Sequence, residues 1–261
     1  MKKKNAILCL LIISCWGFKG CDLIPEDQRR ILMDEVIPLK RVLLADFTDQ
    51  DCINCPNAAI EIKKLKALYG DALTVVSIHA STRNRPLVTE EGNTYDAHFK
   101  TNETGHPAGV IDGSHISINY DQWGGLILQQ FNTESWISLH LSTDYKAGNR
   151  EVNISAQIKG KKRASQLNLL LWAVESKVVS WQKMPDNTTE AAYEHMHVFR
   201  SALNGIWGET FSMEAEEEKE IKNTYILDEK WKAEQVSIVG FVFDPHTDEV
   251  FDVSEVYVLK Q

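Results

Sequence analysis

The spacing of apolar and polar residues divides this chain of 261 residues into three regions. A short apolar run occupies residues 6–16, and three lysines stand at residues 2–4 before it. Residues 41–131 combine continuous apolar runs, typical of buried strands, with apolar residues recurring every three or four positions, typical of helices. From Glu134 onward apolar and polar residues alternate, as in half-buried β-strands. The pattern predicts an export leader, an α/β region and an all-β region, in that order.

The α/β region is predicted to begin with a strand, a helix and a second strand. The strand over residues 41–47 leads into the sequence Cys52-Ile53-Asn54-Cys55. The helix after the cysteines is closed by Gly70, and residues 73–80 form the second buried strand. Two further helices are predicted over residues 95–100 and 121–131. A CxxC motif between a buried strand and a helix is a stronger signal than the four residues alone.

The first 20 residues are predicted to be an export signal. The apolar run is shorter than the roughly 20 residues that a membrane-spanning helix needs. Cys21 follows Gly20, as in lipoprotein signals, although the two residues before Gly20 depart from the usual small residue and leucine. We expect lipid at Cys21, which would anchor the protein to a membrane, and a tether up to residue 37. The alternative is ordinary signal cleavage that leaves Cys21 as an incidental thiol.

Loss of the leader makes the chain more acidic. It removes four lysines and no acids, so 28 − 4 = 24 Lys and Arg remain against 37 Asp and Glu, a net charge of −13. An acidic chain of this kind is a poor candidate for binding nucleic acid or an anionic membrane surface. We therefore expect no nucleic-acid partner.

Cysteine usage indicates redox chemistry. Two of the five cysteines lie in the leader and a third is Cys21, so only Cys52 and Cys55 remain. In an oxidising compartment a pair at this spacing closes a small ring and cannot join distant parts of a fold. Zinc would need two further ligands, and a c-type haem needs His where Pro56 stands. We therefore predict no metal and no cofactor.

The segment from Leu44 to Cys55 resembles the strand and active site of thioredoxin-fold proteins. The resemblance implies that Asp46 is a buried carboxylate assisting the second thiol, with a pKa raised by desolvation. It also implies that Pro107, in Gly105-His106-Pro107, has a cis peptide bond and packs against the cysteines. The alternatives are a partly exposed Asp46 at a strand end and a trans proline that opens a strand.

Acidic residues around the motif bear on the reactivity of the first cysteine. The N-terminus of a helix stabilises a thiolate at Cys52, but Asp49 and Asp51 disfavour it, and Asp51 stands where thioredoxins have tryptophan. No Lys or Arg within the motif opposes these acids. We expect Cys52 to be the attacking thiol, with a pKa only modestly below the free value of about 8.5. This balance favours a reductant or a slow isomerase over a strong oxidant.

The all-β region is predicted to be an antiparallel, immunoglobulin-like sandwich, because several alternating strands are separated by turn-like segments. One segment within it is unusual. His195 and His197 would share one face of a strand and could bind a metal with a third ligand, but no partner stands at a recognisable spacing. We favour a structural or interface role for both histidines.

A second resemblance covers almost the whole mature chain. The stretch from Tyr193 to Glu209, together with the Cys-x-x-Cys-Pro segment, is similar to the 28-kDa outer-membrane protein family of anaerobic Gram-negative bacteria. The resemblance implies an exported lipoprotein at the outer membrane. The predicted organisation is a signal peptide, a tether, a thioredoxin-like domain and an all-β domain, over residues 1–20, 21–37, 38–133 and 134–261.

Two functions follow from these expectations. The first is a membrane-anchored thiol–disulfide oxidoreductase that acts on exported proteins, with Cys52 and Cys55 as the redox pair. The second is a non-catalytic binding or surface-interaction lipoprotein in which the CxxC disulfide is structural. The departure at Asp51, the neighbouring acids and the large β region favour the second. The motif and its context favour the first, which is the function we predict, with the second as the alternative.

Overall fold

A computed structural model of the protein describes residues 39–259. The predicted leader, tether and lipid-bearing Cys21 lie outside these residues. Residues 39–259 lie in one compact unit. Within residues 39–259 no helix is both long and apolar enough to cross a membrane.

The cysteine-bearing half follows the predicted order of elements. Its strands are β1 (Val42–Thr48), β2 (Leu73–His79), β3 (Ala108–Ile111) and β4 (His115–Ser117). Its helices are α1 (Cys55–Tyr69), α2 (Glu90–His98), α3 (Thr101–Thr104) and α4 (Trp123–Phe131).

The ends of α1 have simple local causes. Pro56 stands in its first turn, where a missing N–H costs no helical hydrogen bond. Gly70 ends the helix with a positive φ of 53°, and its N–H bonds to the carbonyl of Lys66. The predicted closure at Gly70 is therefore confirmed.

The second half consists of strands. They are β5 (Ile137–Lys146), β6 (Glu151–Gly160), β7 (Ala164–Glu175), β8 (Val178–Lys183), β9 (Thr189–His195), β10 (Val198–Ala202), β11 (Glu209–Met213), β12 (Glu218–Ile226), β13 (Val236–Phe243) and β14 (Val250–Tyr257). The alternation that predicted them is visible in β6, where Val152, Ile154, Ala156 and Ile158 are buried.

These strands form three sheets. The largest has nine strands in the order β14-β13-β7-β10-β2-β1-β3-β4, with β11 also paired to β7. A three-stranded sheet has the order β12-β6-β5, and β8 and β9 form a hairpin of their own. Strands β1 and β2 are parallel, as the helix between them requires, and β3 runs antiparallel to β1. The architecture is therefore an α/β region joined to a β region through one mixed sheet.

The two halves meet where β10 lies beside β2. Val198 is paired with Ser77, and the Ser77 N–H donates to the carbonyl of His197 at 2.7 Å. One hydrophobic core includes residues of both halves, among them Phe47, Ile78, Trp172 and Phe199. A second core lies between the three-stranded sheet and the β7–β13 part of the large sheet, so two sheets do pack face to face.

The predicted boundary between residues 133 and 134 falls inside this compact unit. The large sheet and the first core continue across it, and a partly buried ion pair between Arg41 and Asp252, with N···O 2.6 Å, adds a polar link. Sequence periodicity identifies strands but not the sheet that each will join. Independent folding of residues 134–261 and their immunoglobulin-like character both stay predictions.

Candidate active site

Cys52 and Cys55 are joined by a disulfide at the N-terminus of α1, with Cα atoms 5.5 Å apart. Cys55 is the first residue of the helix and is buried, whereas Cys52 lies in the preceding loop and is half-buried. An incoming thiol or disulfide can therefore reach Cys52 more easily than Cys55.

Two main-chain groups face the sulfur of Cys52. The N–H of Cys55 points at it with N···S 3.1 Å, and the carbonyl oxygen of His106 lies 3.3 Å away. After reduction, the N–H and the helix N-terminus would stabilise a thiolate at Cys52. The carbonyl would disfavour that anion and accept a hydrogen bond from the neutral thiol. The N–H and the carbonyl therefore have opposite effects on the stability of the Cys52 thiolate.

The His106–Pro107 peptide bond is cis, as predicted, and the turn containing it lies against Cys52. The trans alternative is wrong. Gly105 precedes the turn with φ of 89°, a conformation that residues with side chains rarely adopt. The side chain of His106 turns away to pair with the buried Asp96, with Nε2···Oδ1 2.9 Å.

Asp46 is buried at 4% exposure in the middle of the sheet, so the alternative of a partly exposed residue is wrong. Ser77 Oγ donates to its Oδ2 at 3.1 Å, and its Oδ1 has no hydrogen-bond partner among the described residues. Burial raises the pKa of Asp46 to about 7, although the Ser77 hydrogen bond and nearby His106 act in the opposite direction. The carboxyl group can therefore exchange a proton near neutral pH.

Asp46 and Cys55 line the same cavity, which has a volume of about 430 Å³. Polar side chains of β1 and β2 form one wall, and Pro56, Ala59 and Ile60 of α1 form another. Gln182 and the segment from Tyr193 to His197 complete the lining. Because the cavity also touches exposed residues, water and protons can reach Asp46 from outside.

Asp51 does not act as a free negative charge beside Cys52. Arg85 and Arg83 bind its Oδ2 at 2.7 and 3.0 Å. Desolvation acts to raise the pKa of Asp51, but the two arginine hydrogen bonds outweigh it and lower the pKa below its usual value. The expectation that nothing opposes this acid holds within the motif but omits two arginines more than 30 residues further along the chain.

The two histidines of the all-β region lie on different elements. His195 ends β9, whereas His197 lies between β9 and β10 with φ of 56°, so the expectation that they share a strand face is wrong. His195 Nδ1 is 3.3 Å from Nε2 of His79, which is buried in β2. Burial lowers the pKa of both His195 and His197 to about 4 and that of His79 well below its usual value.

No group of three or more His, Cys, Asp and Glu side chains within residues 39–259 is arranged to hold a metal ion. The structure also adds residues that the sequence did not identify, namely Gln50, Arg83, Arg85, His79 and Gln182. A local pattern could not reveal them, because each depends on a contact between distant segments.

Comparison with protein families gives one match. A family described as outer membrane protein Omp28 matches residues 92–261, which is 170 of 261 residues. The matched range lies entirely after the cysteine motif. A comparison with curated proteins gives no match.

Several solved structures are similar. HBP35 of Porphyromonas gingivalis superposes with a TM-score of 0.68 at 16% identity, covering 84% of this chain and 75% of that one. A protein from Agrobacterium tumefaciens gives a TM-score of 0.54 at 13% identity, covering 85% and 96%. A domain of the outer membrane lipoprotein Omp28 from Porphyromonas gingivalis is 26% identical, with a TM-score of 0.36, and covers 49% and 91%. At these identities, the first two comparisons concern the fold alone.

Proposed function

This chain belongs to the Omp28 family of outer membrane proteins, and from that starting point we propose that it is a lipid-anchored thiol–disulfide oxidoreductase acting on exported proteins. The observation that carries the proposal is the shared cavity of Cys55 and Asp46 behind the Cys52–Cys55 disulfide. A disulfide that serves only to hold the chain together does not need a buried carboxyl group titrating near neutral pH.

In the reducing direction, the Cys52 thiolate attacks one sulfur of a client disulfide. A bond forms between Cys52 and that sulfur, and the other client sulfur leaves as a thiolate. The Asp46 carboxylate accepts the proton of the Cys55 thiol, and the Cys55 thiolate then attacks Cys52 Sγ. The bond between Cys52 and the client sulfur that it attacked breaks, that sulfur leaves as a thiolate, and both client thiolates take up protons. Two electrons pass from the protein dithiol to the client, and the reverse sequence oxidises a client dithiol.

The thioredoxin-like character of the first half belongs to the same proposal. It is supported by the order of β1, α1 and β2, by the antiparallel strands after them and by the turn at Pro107 beside the disulfide. The all-β half would complete the site, because His195 and neighbouring residues line the cavity.

A trapping experiment tests the activity. Cys55→Ser leaves Cys52 free to attack but unable to release its partner, so this variant should accumulate mixed disulfides with exported proteins or with a model disulfide substrate. Cys52→Ser should trap far less, because Cys55 is buried. Turnover measured with dithiothreitol and a disulfide-bonded protein should require both cysteines. Equal trapping by both variants, or no turnover by the native pair, would contradict the assignment.

The second candidate is a binding or surface-interaction lipoprotein with a structural disulfide. It is favoured by one observation: the family match covers residues 92–261 and does not include the cysteines. It predicts that the double variant Cys52→Ser/Cys55→Ser has a lower melting temperature but leaves the disulfide content of exported proteins in the cell unchanged.

The anchor is tested separately. If lipid at Cys21 holds the protein in the membrane, Cys21→Ser should move it to the soluble exported fraction and remove acyl labelling. Cys9→Ser, in the leader, is the matched control and should change neither result. Unchanged membrane association of Cys21→Ser would rule out a lipid anchor at this residue.

A further inference from the structure

The β8–β9 hairpin lies against the loop that carries Cys52, although about 130 residues separate them along the chain. Gln182 of β8 is only 3% exposed. Its Nε2 donates to the carbonyl of Cys52 at 3.0 Å and approaches the carbonyls of Asp49 at 3.3 Å and Lys183 at 3.1 Å. A single amide of the second half thus bonds directly to the first redox cysteine.

The loop makes matching contacts to the hairpin. Gln50, buried at 1% exposure, donates from Nε2 to the carbonyl of Trp181 at 2.6 Å and to Ser180 Oγ at 3.0 Å. The main-chain N–H of Lys183 donates to the carbonyl of Gln50 at 2.9 Å. A buried amide without hydrogen-bond partners lowers the stability of the folded protein, so these hydrogen bonds hold the loop and the hairpin together.

The side chain of Arg85 also links the hairpin to the loop that carries Cys52. The guanidinium of Arg85 lies 5.3 Å from the ring centre of Trp181 and also binds Asp51, next to Cys52. Hydrogen bonds and this stacked arginine therefore connect β8 to each residue from Asp49 to Cys52.

We propose that Gln182 is a positioning residue for the redox pair, which makes the β8–β9 hairpin part of the redox site. The inference rests on the proposed redox function but concerns a different quantity, the stability of the disulfide relative to the dithiol. By fixing the main chain of Cys52, Gln182 keeps its sulfur next to that of Cys55 in both redox states. The entropy lost on closing the disulfide is then smaller, which favours the disulfide.

The test measures the equilibrium constant for reduction of the Cys52–Cys55 disulfide by dithiothreitol, using the full exported chain purified in detergent. Gln182→Met keeps the length of the side chain but removes its donors. We expect about a tenfold shift toward the dithiol, equal to about 30 mV for a two-electron couple. Gln157→Met, an exposed glutamine of β6, and Val179→Ala, an exposed residue of β8, are matched controls that should stay within about twofold of the native constant.

A second variant provides a pH readout that a purely structural role would not change. Gln182→Glu cannot donate when ionised, and its negative charge would face the carbonyl of Cys52. When protonated it regains one donor, so its equilibrium constant should return toward the native value as the pH falls. This variant also keeps the proposal testable if Gln182→Met does not fold.

The outcomes separate the two proposals, because the equilibrium constant can be measured whether or not the protein turns over clients. A folded Gln182→Met with a native constant, or a Gln182→Glu that shows no recovery at low pH, would overturn the positioning role and leave the redox function intact. A shifted constant in a protein without any turnover would support the positioning role and reject the redox function.

Discussion

Strands β1 and β2 are buried on both faces, yet the two faces have opposite chemistry. The face toward α2 is apolar, with Ala45, Phe47 and Ile78 in the core shared by both halves. The face toward α1 becomes polar near the carboxyl ends of the strands, where Asp46 and His79 line the cavity behind Cys55. Continuous apolar sequence therefore indicates burial, but the polar residues within it mark the face on which chemistry is possible.

The apolar face should give the largest effect on stability. Trp172 of β7 is 3% exposed, contacts Tyr95, Phe199 and Phe241, and donates from its indole N–H to Tyr95 Oη at 3.1 Å. Trp172→Ala should lower the free energy of unfolding by about 3–5 kcal/mol. Denaturant unfolding followed by circular dichroism measures this change.

Hydrogen exchange would show where Trp172→Ala acts. Because the core is shared, we expect the variant to reduce protection in β1 and β2 as well as in β7 and β13. Trp136→Ala is the matched control, since Trp136 is half-buried and packs on Phe251 at the edge of the second core. Loss of protection confined to the second half would show that the shared core does not couple the two halves.

On the polar face, removing the charge of Asp46 should raise the free energy of unfolding, whereas truncating Trp172 on the apolar face should lower it. The folded-state pKa of Asp46 is about 7 and its ordinary value is 3.8, so its burial costs little below pH 3.8 and increasingly more up to pH 7. At pH 8 Asp46→Asn should therefore be more stable than the native protein by about 2–4 kcal/mol. The gain should disappear near pH 4, as measured by denaturant unfolding at both pH values.

The same variant separates stability from activity. The amide introduced by Asp46→Asn cannot accept the Cys55 proton, so resolution of the mixed disulfide should slow around neutral pH while the protein is more stable. Asp112→Asn, at a buried carboxylate that pairs with Lys40 and does not line the cavity, is a control that should leave the rate of resolution unchanged. Unchanged resolution in Asp46→Asn would remove Asp46 from the mechanism.

The histidines on the polar face predict a loss of stability in acid. The folded-state pKa of His195 is about 4, below its ordinary value of 6.5, so the unfolded chain binds a proton that the folded protein does not. Stability from this group is fully present above pH 6.5 and is lost as the pH falls toward 4. His195→Gln should reduce this loss by up to about 3 kcal/mol, measured from unfolding between pH 7 and 4.

Asp46 acts against the histidines over part of this pH range, so the two variants must be compared. Between pH 4 and 6.5 the native protein gains stability from Asp46 and loses it from His195 on acidification. The free energy of unfolding should therefore fall more steeply with decreasing pH in Asp46→Asn. It should fall less steeply in His195→Gln, where the buried His197 and His79 still lower it. Exposed His140 of β5 provides a control substitution, His140→Gln, that should leave the slope unchanged.

The elements and the residues of the redox motif could be predicted from the sequence because each depends on neighbours along the chain. The end of α1 at Gly70 is a local effect, and the Pro107 turn followed from resemblance to thioredoxin-fold proteins. The pairing of β10 with β2 and the contact of Gln182 with Cys52 join segments more than 100 residues apart. Periodicity carries no information about such partners, so the predicted boundary at residues 133 and 134 did not anticipate the sheet that crosses it.

The smallest expected effect concerns the loop between β1 and α1, where two arginines of different exposure bind Asp51. Arg83 is 65% exposed at its side chain and Arg85 is 28% exposed and stacked on Trp181. Solvent screens the more exposed pair more strongly. Arg85→Gln should therefore release more of the negative charge of Asp51 than Arg83→Gln does, and so raise the pKa of the Cys52 thiol further.

Alkylation rates of the reduced protein against pH measure this pKa. We expect Arg85→Gln to raise the pKa of the Cys52 thiol slightly and Arg83→Gln to raise it less, because charges near the surface interact through a high effective dielectric. Asp51→Asn should lower it slightly and should make the two arginine substitutions indistinguishable, since their effect passes through that carboxylate. If Arg85→Gln still raises the pKa in the Asp51→Asn background, the guanidinium acts on Cys52 directly and the ion pair is not the cause.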